Sequence, residues 1–334
     1  MTVKCEKDPG VLMPAFSSRR SARQVTGDDL LVETAWLYYE DRLNQTEIAA
    51  RLDVSRATVV NYLQEARERG YVQVRLAAET FTGHRLARAL SDRFALAAAF
   101  VLPEGAGPAA TAARVVRGAA DWLPHLLSPG DRLGVAWGKT IYDVAEALEP
   151  RPIPDLTVLQ LVGSMATPYG FSADVCSSTV ARKLSARCVN LHVPAVLSDA
   201  RTAALLREER LIAAQFAEVE RCTKSLFAVG SCTPDSHVVS SGVATRQDLD
   251  WYLGRGAAGV LCGRFIDAAG APIRGPLDAR MMGVDLARLR HLSAGILVSV
   301  GPERVPATIA ALRGGYVTHL VTSRASAEAM LAAP

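Results

Sequence analysis

From residue 84 onward the sequence alternates short apolar runs with amphipathic helical stretches, and no other feature constrains the fold as strongly. The runs fall at 97–102, 133–136, 157–161, 189–191, 226–229, 296–300 and 319–322. Apolar strands separated by helices predict an α/β domain, a parallel sheet covered by helices on both faces. With 334 residues, 49% of them hydrophobic, the chain can bury such a core and carry a second, smaller domain, so disorder and collagen-like repeats are excluded. The uncharged stretch at 156–173 is broken by Pro, Gly and polar residues and does not suit a bilayer. Lys4, Glu6, Lys7 and Asp8 stand where a secretory signal would need an apolar core, so the expected location is the cytoplasm. Six dispersed cysteines without a C-x-x-C pair argue against a zinc ribbon or a disulfide framework.

Ahead of this domain, residues 1–27 read as an aperiodic arm carrying Arg19, Arg20 and Arg23. Residues 28–76 read as a winged helix-turn-helix domain, and 77–83 as a linker. Between Gln45 and Leu63 two short amphipathic helices meet at Asp53 and Val54. Ala49 is small where the helices cross, Ile48, Leu52, Val54, Val59 and Leu63 form an apolar seam, Ser55 is placed to cap the second helix, and Gly70 to end it. At about 100° per residue, Val59, Leu63 and Ala66 share the inner side of that helix. Arg56, Ala57, Val60, Asn61 and Gln64 project from the other side, with the guanidinium, amide and small apolar groups that read base edges in a major groove. Ser55 and Thr58 are placed for phosphates, and the run 71–75 for the edge of a wing.

Charge does not carry this reading. The chain is only +3 overall, and residues 1–76 hold 11 basic and 11 acidic side chains. Between Arg51 and Arg75, five arginines face Asp53, Glu65 and Glu68, a modest footprint for phosphate contact. Oligomerisation is therefore expected to supply part of the affinity.

The run Arg132-Leu133-Gly134-Val135-Ala136-Trp137-Gly138-Lys139-Thr140 has the form of a strand, a tight glycine-containing loop and a helix start. Backbone N–H groups at a helix N-terminus, with the Thr140 hydroxyl and the Lys139 ammonium beside them, make an anion site. Lys139 also offers an amine for a Schiff base with an aldehyde sugar, which would need a lowered amine pKa.

Together with this loop, the helix-turn-helix, Gln160-Leu161-Val162-Gly163-Ser164, Gly230-Ser231, the run from Cys262 to Gly270 and the run from Ala311 to Val317 resemble the SorC family of sugar-responsive transcriptional regulators from about Leu30 to the C-terminus. The resemblance implies a Rossmann-like parallel-sheet effector domain of the phosphosugar isomerase and deaminase type, spanning 84–334. It implies a homotetramer whose grip on double-stranded operator DNA is altered by a phosphorylated sugar or polyol. It places phosphate contacts at Gly134, Trp137, Gly138, Lys139, Thr140 and Arg304, a ligand-facing strand end at Gln160, Gly163 and Ser164, and a second loop at Gly230 and Ser231. Val260 and Ser323 stand where the family pattern carries acids, and Arg304 where it carries lysine, so the ligand is expected to be less hydroxylated or differently placed.

Asp267 and Asp199 follow strands where ligands bind in open α/β sheets, a position that equally suits a turn or cap residue. The six histidines show no paired spacing, and neither a metal nor a cofactor is expected. The rival reading is an active phosphosugar isomerase or deaminase with an appended DNA-binding domain. No acid and base pair beside the loop supports that chemistry.

Overall fold

The computed structural model describes residues 27–72, 85–165 and 172–334, and its contacts divide the chain into two units, Met1–Leu76 and Ala77–Pro334. The expected arm up to residue 26, the linker at 77–83 and the wing residues 73–75 lie outside the described residues. Tyr71 and Val72 are described and form no strand.

The first unit holds α1 (Gly27–Tyr39), α2 (Gln45–Leu52) and α3 (Arg56–Glu68). Asn44 starts α2: its side chain accepts from Thr46 N and Glu47 N, and the Glu47 carboxylate accepts from Asn44 N at 2.7 Å, a reciprocal cap. Asp53 turns the chain in the left-handed region (φ 54°), and Ser55 Oγ accepts from Thr58 N at 3.0 Å to open α3. Leu37, Ile48, Ala49, Val59 and Leu63 close a small core between the helices. Each large member contributes about 1.5–3 kcal/mol by leaving water.

The second unit opens with α4 (Arg85–Phe94) and is built on a seven-stranded parallel sheet. Its strands are β1 (Ala98–Leu102), β2 (Arg132–Val135), β3 (Thr157–Gln160), β4 (Arg187–Val189), β5 (Lys224–Phe227), β9 (Ala294–Val298) and β10 (His319–Ser323), in the order β1-β10-β9-β5-β2-β3-β4. Alternate residues enter opposite cores: Ala99 and Val101 pack on one face, Phe100 and Leu102 on the other, and Phe227 and Leu226 divide likewise. This is the two-sided burial that the apolar runs predict. The helices α5 (Pro108–Trp122), α6 (Lys139–Ala147), α7 (Ala173–Lys183), α8 (Ala200–Glu208), α9 (Arg210–Glu220), α10 (His237–Ser240), α11 (Arg246–Leu253), α12 (Leu286–Leu289) and α13 (Val305–Arg313) lie between strands in the chain, and α14 (Arg324–Ala332) follows β10. None of the described helices is long and apolar enough to cross a membrane.

The alternation did not predict a second, antiparallel sheet of β6 (Val229–Gly230), β7 (Ala257–Leu261) and β8 (Arg264–Asp267). Cys262 (φ 49°) and Gly263 (φ 78°) form the two-residue turn between β7 and β8, where both positions need the left-handed region. A register shift between Ala257 and Gly259 breaks the period-2 signal that would have marked β7.

Candidate functional site

In the first unit, Arg56, Ala57, Val60, Asn61 and Gln64 are all exposed on one side of α3, while Val59, Leu63 and Ala66 are buried on the other. Val60 leaves 41% of its surface in water, an apolar group without a core to fill. The Arg56 guanidinium is steadied by Gln45, whose Oε1 accepts from Arg56 Nε at 3.3 Å, and Gln64 Nε2 donates to Glu68 Oε1 at 2.9 Å. The Ser55 and Thr58 hydroxyls bond each other at 2.8 Å, so part of their capacity is spent on the cap. The cationic footprint is smaller than the sequence count: Arg69 is paired with Asp28 and Glu65, and Arg75 lies outside the described residues.

In the second unit, β2, β5 and β9 are neighbours, so the loops at their carboxyl ends converge. They border a cavity of about 300 Å³ that brings together Trp137, Gly138, Lys139, Thr140, Gly230, Ser231 and Arg304. Gly138 (φ 122°) precedes α6 without any side-chain cap, so the first N–H groups of that helix are left to a ligand or water. Arg304 Nη1 donates to Thr140 Oγ1 at 2.9 Å. Lys139 Nζ lies 2.8 Å from both carboxylate oxygens of Asp143 one turn on, and a Schiff base at Lys139 would have to break that pair. A second cavity of about 720 Å³ shares Lys139, Thr140, His237, Glu303 and Arg304.

Other expected contacts are not brought to this cavity. Gly134 is a packing position inside the sheet, where a Cβ would come within 2.5 Å of Leu161 Cδ2. Gln160 is fully buried and staples the chain: its Nε2 donates to Val162 O at 2.7 Å and its Oε1 accepts from Leu191 N at 3.1 Å. Gly163 allows the backbone to pass Pro194, whose carbonyl oxygen would stand 2.6 Å from a Cβ. Ser164 donates to Asp174 at 2.9 Å and borders a different cavity, of about 690 Å³. Asp267 caps its own turn, accepting from Ala269 N and Ala271 N, and Asp199 caps α8 through Thr202 N.

Ser236, His237 and Glu303, which the sequence did not single out for the effector, also line the 300 Å³ cavity, as do Val260 and Cys262 of the family-like run. A signal was present in the polar run Ser231-Cys232-Thr233-Pro234-Asp235-Ser236-His237 that follows β6. The His237 ring stacks on Trp137 with centroids 6.3 Å apart. Burial first, then the neighbouring cations Arg304 and Lys139, push its pKa below the ordinary histidine value. His319, edge-on to Trp122 and beside Thr318, is pushed the same way by burial and then by Lys224.

A histidine held neutral in the fold but protonated once unfolded makes the unfolded state bind more protons. Stability is therefore full above about pH 6.5 and falls as pH drops from there through the lower folded pKa. Urea midpoints measured between pH 8 and pH 5 are expected to fall on acidification. His319→Gln should flatten that slope, and an unchanged slope would place the titration elsewhere.

The Sugar-bind family model, a sugar-binding domain, matches residues 79–332. An uncharacterised transcriptional regulator of Escherichia coli (strain K12), YjhU, is 39% identical over 311 residues, covering 91% of this chain and 95% of that protein. The deoxyribonucleoside regulator of Bacillus subtilis (strain 168) is 29% identical over 308 residues, 90% of this chain and 97% of that protein. The full-length sorbitol operon regulator SorC of Klebsiella pneumoniae superposes with a TM-score of 0.75 at 24% identity, over 92% of this chain and 99% of that one. These relatives are transcriptional regulators, not enzymes. The chain belongs to the SorC family of sugar-binding transcriptional regulators.

Proposed function

We propose that this regulator reads a DNA operator with the exposed face of α3 and senses a phosphorylated sugar or polyol in the 300 Å³ cavity, working as a homotetramer in the cytoplasm. Residues 28–76 then serve as the DNA-binding domain and 84–334 as the effector and oligomerisation domain. One observation carries the effector reading: Lys139, Thr140 and Arg304 meet at the uncapped N-terminus of α6 inside one cavity. Charge-assisted donors around free backbone N–H groups suit a phosphate. Phosphate holds one end of the ligand, and an effector that binds one inter-subunit arrangement better than another shifts operator affinity by at most that difference.

A thermal-shift screen of phosphorylated sugars and polyols tests the effector reading, since a ligand selective for the folded state raises stability by RT ln(1 + [L]/Kd). Absence of any shift across the panel would reject it. For the operator face, Arg56→Ala is expected to cost about 1–3 kcal/mol of operator affinity and to relax preference at one base pair. Footprinting with base-substituted operators checks this, and undiminished binding would remove Arg56 from the interface.

A further inference from the structure

The helices α8 and α9, joined at Glu209, bury one side and leave the other in water. Inward, Ala203 and Val219 are buried, and Leu206, Ile212 and Phe216 pack against the core. Outward, Leu205 is 57% and Leu211 65% exposed, with Ala204 and Ala214 exposed beside them. Among the described residues of the second unit, the other exposed large apolar side chain is Leu253. The support under this patch is fixed: Arg207 Nη2 donates to Met281 O at 2.7 Å, and the Arg207 guanidinium lies 4.6 Å over the Phe216 ring. Contiguous apolar surface on a fixed support marks an interaction face.

The charges around it choose the partner. Arg201 and Glu208 stand one turn to either side of Leu205, and Glu209 and Arg210 stand at the bend before Leu211. All four are exposed, and none makes an ion pair or a side-chain hydrogen bond among the described residues. A strongly acidic or basic partner would meet as many like charges here as unlike ones. A second copy turned about a two-fold axis presents both signs to both. The position allows it: β4 is an edge strand whose Arg187 reaches Glu218 of α9 at 3.0 Å, and no residue of α8 or α9 lines the 300 Å³ cavity.

We propose that the outer face of α8 and α9 is a two-fold contact between copies of this chain, in which Leu205 and Leu211 are buried against their counterparts and Arg201 and Arg210 meet Glu208 and Glu209 of the second copy. The inference rests on the reading of the protein as a homotetramer and names one of its contacts. At about 1.5 Å per residue and about 10 Å of width, the two helices offer roughly 300 Å². A stable dimer needs about 800 Å² from each partner, so this face is the weaker contact, the one that joins two dimers.

Sedimentation velocity on the full-length protein over a range of concentrations tests it. Wild type is expected to sediment as a tetramer, and Leu205→Glu with Leu211→Glu as a dimer, its tetramer dissociation constant raised by at least about 100-fold. Two charge variants read the pairing itself. Arg201→Glu with Arg210→Glu makes the face acidic, and Glu208→Arg with Glu209→Arg makes it basic. Each alone should sediment as a dimer, and a one-to-one mixture should return to tetramers, which damage to the fold would not produce. A wild-type tetramer that all these variants retain would overturn the inference and leave the homotetramer standing. Folded dimers of the acidic and basic variants that fail to combine would overturn it too, whatever becomes of the leucine variant. Wild type sedimenting as a monomer or dimer at every concentration would overturn the homotetramer reading, and the inference with it.

Discussion

Asp278→Ala is expected to destabilise the second unit by about 3–5 kcal/mol, the usual cost of leaving a buried charge without its partner. Arg264 is 6% exposed, and its Nη1 lies 3.0 Å from Asp278 Oδ1 while its Nε donates to Val284 O at 3.0 Å. The other carboxylate oxygen accepts from Tyr252 Oη at 2.7 Å and from Gly275 N at 2.8 Å. Removing the carboxylate therefore strands a guanidinium, a phenol and a backbone N–H in the core at once. The Tyr252 ring stacks on Phe265 at 4.1 Å, so the damage spreads into the antiparallel sheet.

Asp278→Asn keeps the shape and one acceptor oxygen and should cost clearly less than alanine. Replacing Arg264 and Asp278 together by apolar residues should cost less than Asp278→Ala alone, because no lone charge remains. Equilibrium denaturation in urea measures all three. Equal losses for Asn and Ala would show that packing, not charge pairing, dominates.

Arg304→Ala is expected to lower affinity for a phosphorylated effector by about 10- to 100-fold, as hydrogen bonds to charged groups contribute about 1.5–3 kcal/mol each. Its guanidinium is partly exposed, borders both cavities and already reaches Thr140, so it stands ready for an anion without rearrangement. Arg304→Lys retains the charge but loses the planar fork and the Thr140 bond, and should recover only part of the affinity. Thr140→Val removes the acceptor that orients Arg304 and should fall between wild type and Arg304→Ala. Calorimetric titration and release from operator DNA give two independent readouts. Full effector response in Arg304→Ala with an intact fold would take the anion site away from this cavity.

What the sequence made legible was local. The seven strands of the parallel sheet and the caps at Ser55 and Gly70 follow from patterns spanning a few residues, because side-chain period and turn chemistry depend on near neighbours. The exposed face of α3 was readable for the same reason. The Asn44–Glu47 cap was just as local but went unread, whereas β7 was hidden by an irregular register.

Of the expected effector contacts, those in loops at the carboxyl ends of adjacent strands reach one cavity, while Gln160, Gly163 and Gly134 turn out to hold the scaffold. In sequence a conspicuous glycine or amide looks the same whether it serves a ligand or a neighbouring backbone. Only the packing around it separates the two. Sequence alone determined the layered α/β architecture, the three-helix unit and the chemistry on offer in each loop. The tertiary structure decided which of these groups meet: Arg304 stands 164 residues from Thr140 in the chain yet within one hydrogen bond of it. No local pattern encodes that separation, because it is set by the order in which seven strands pair.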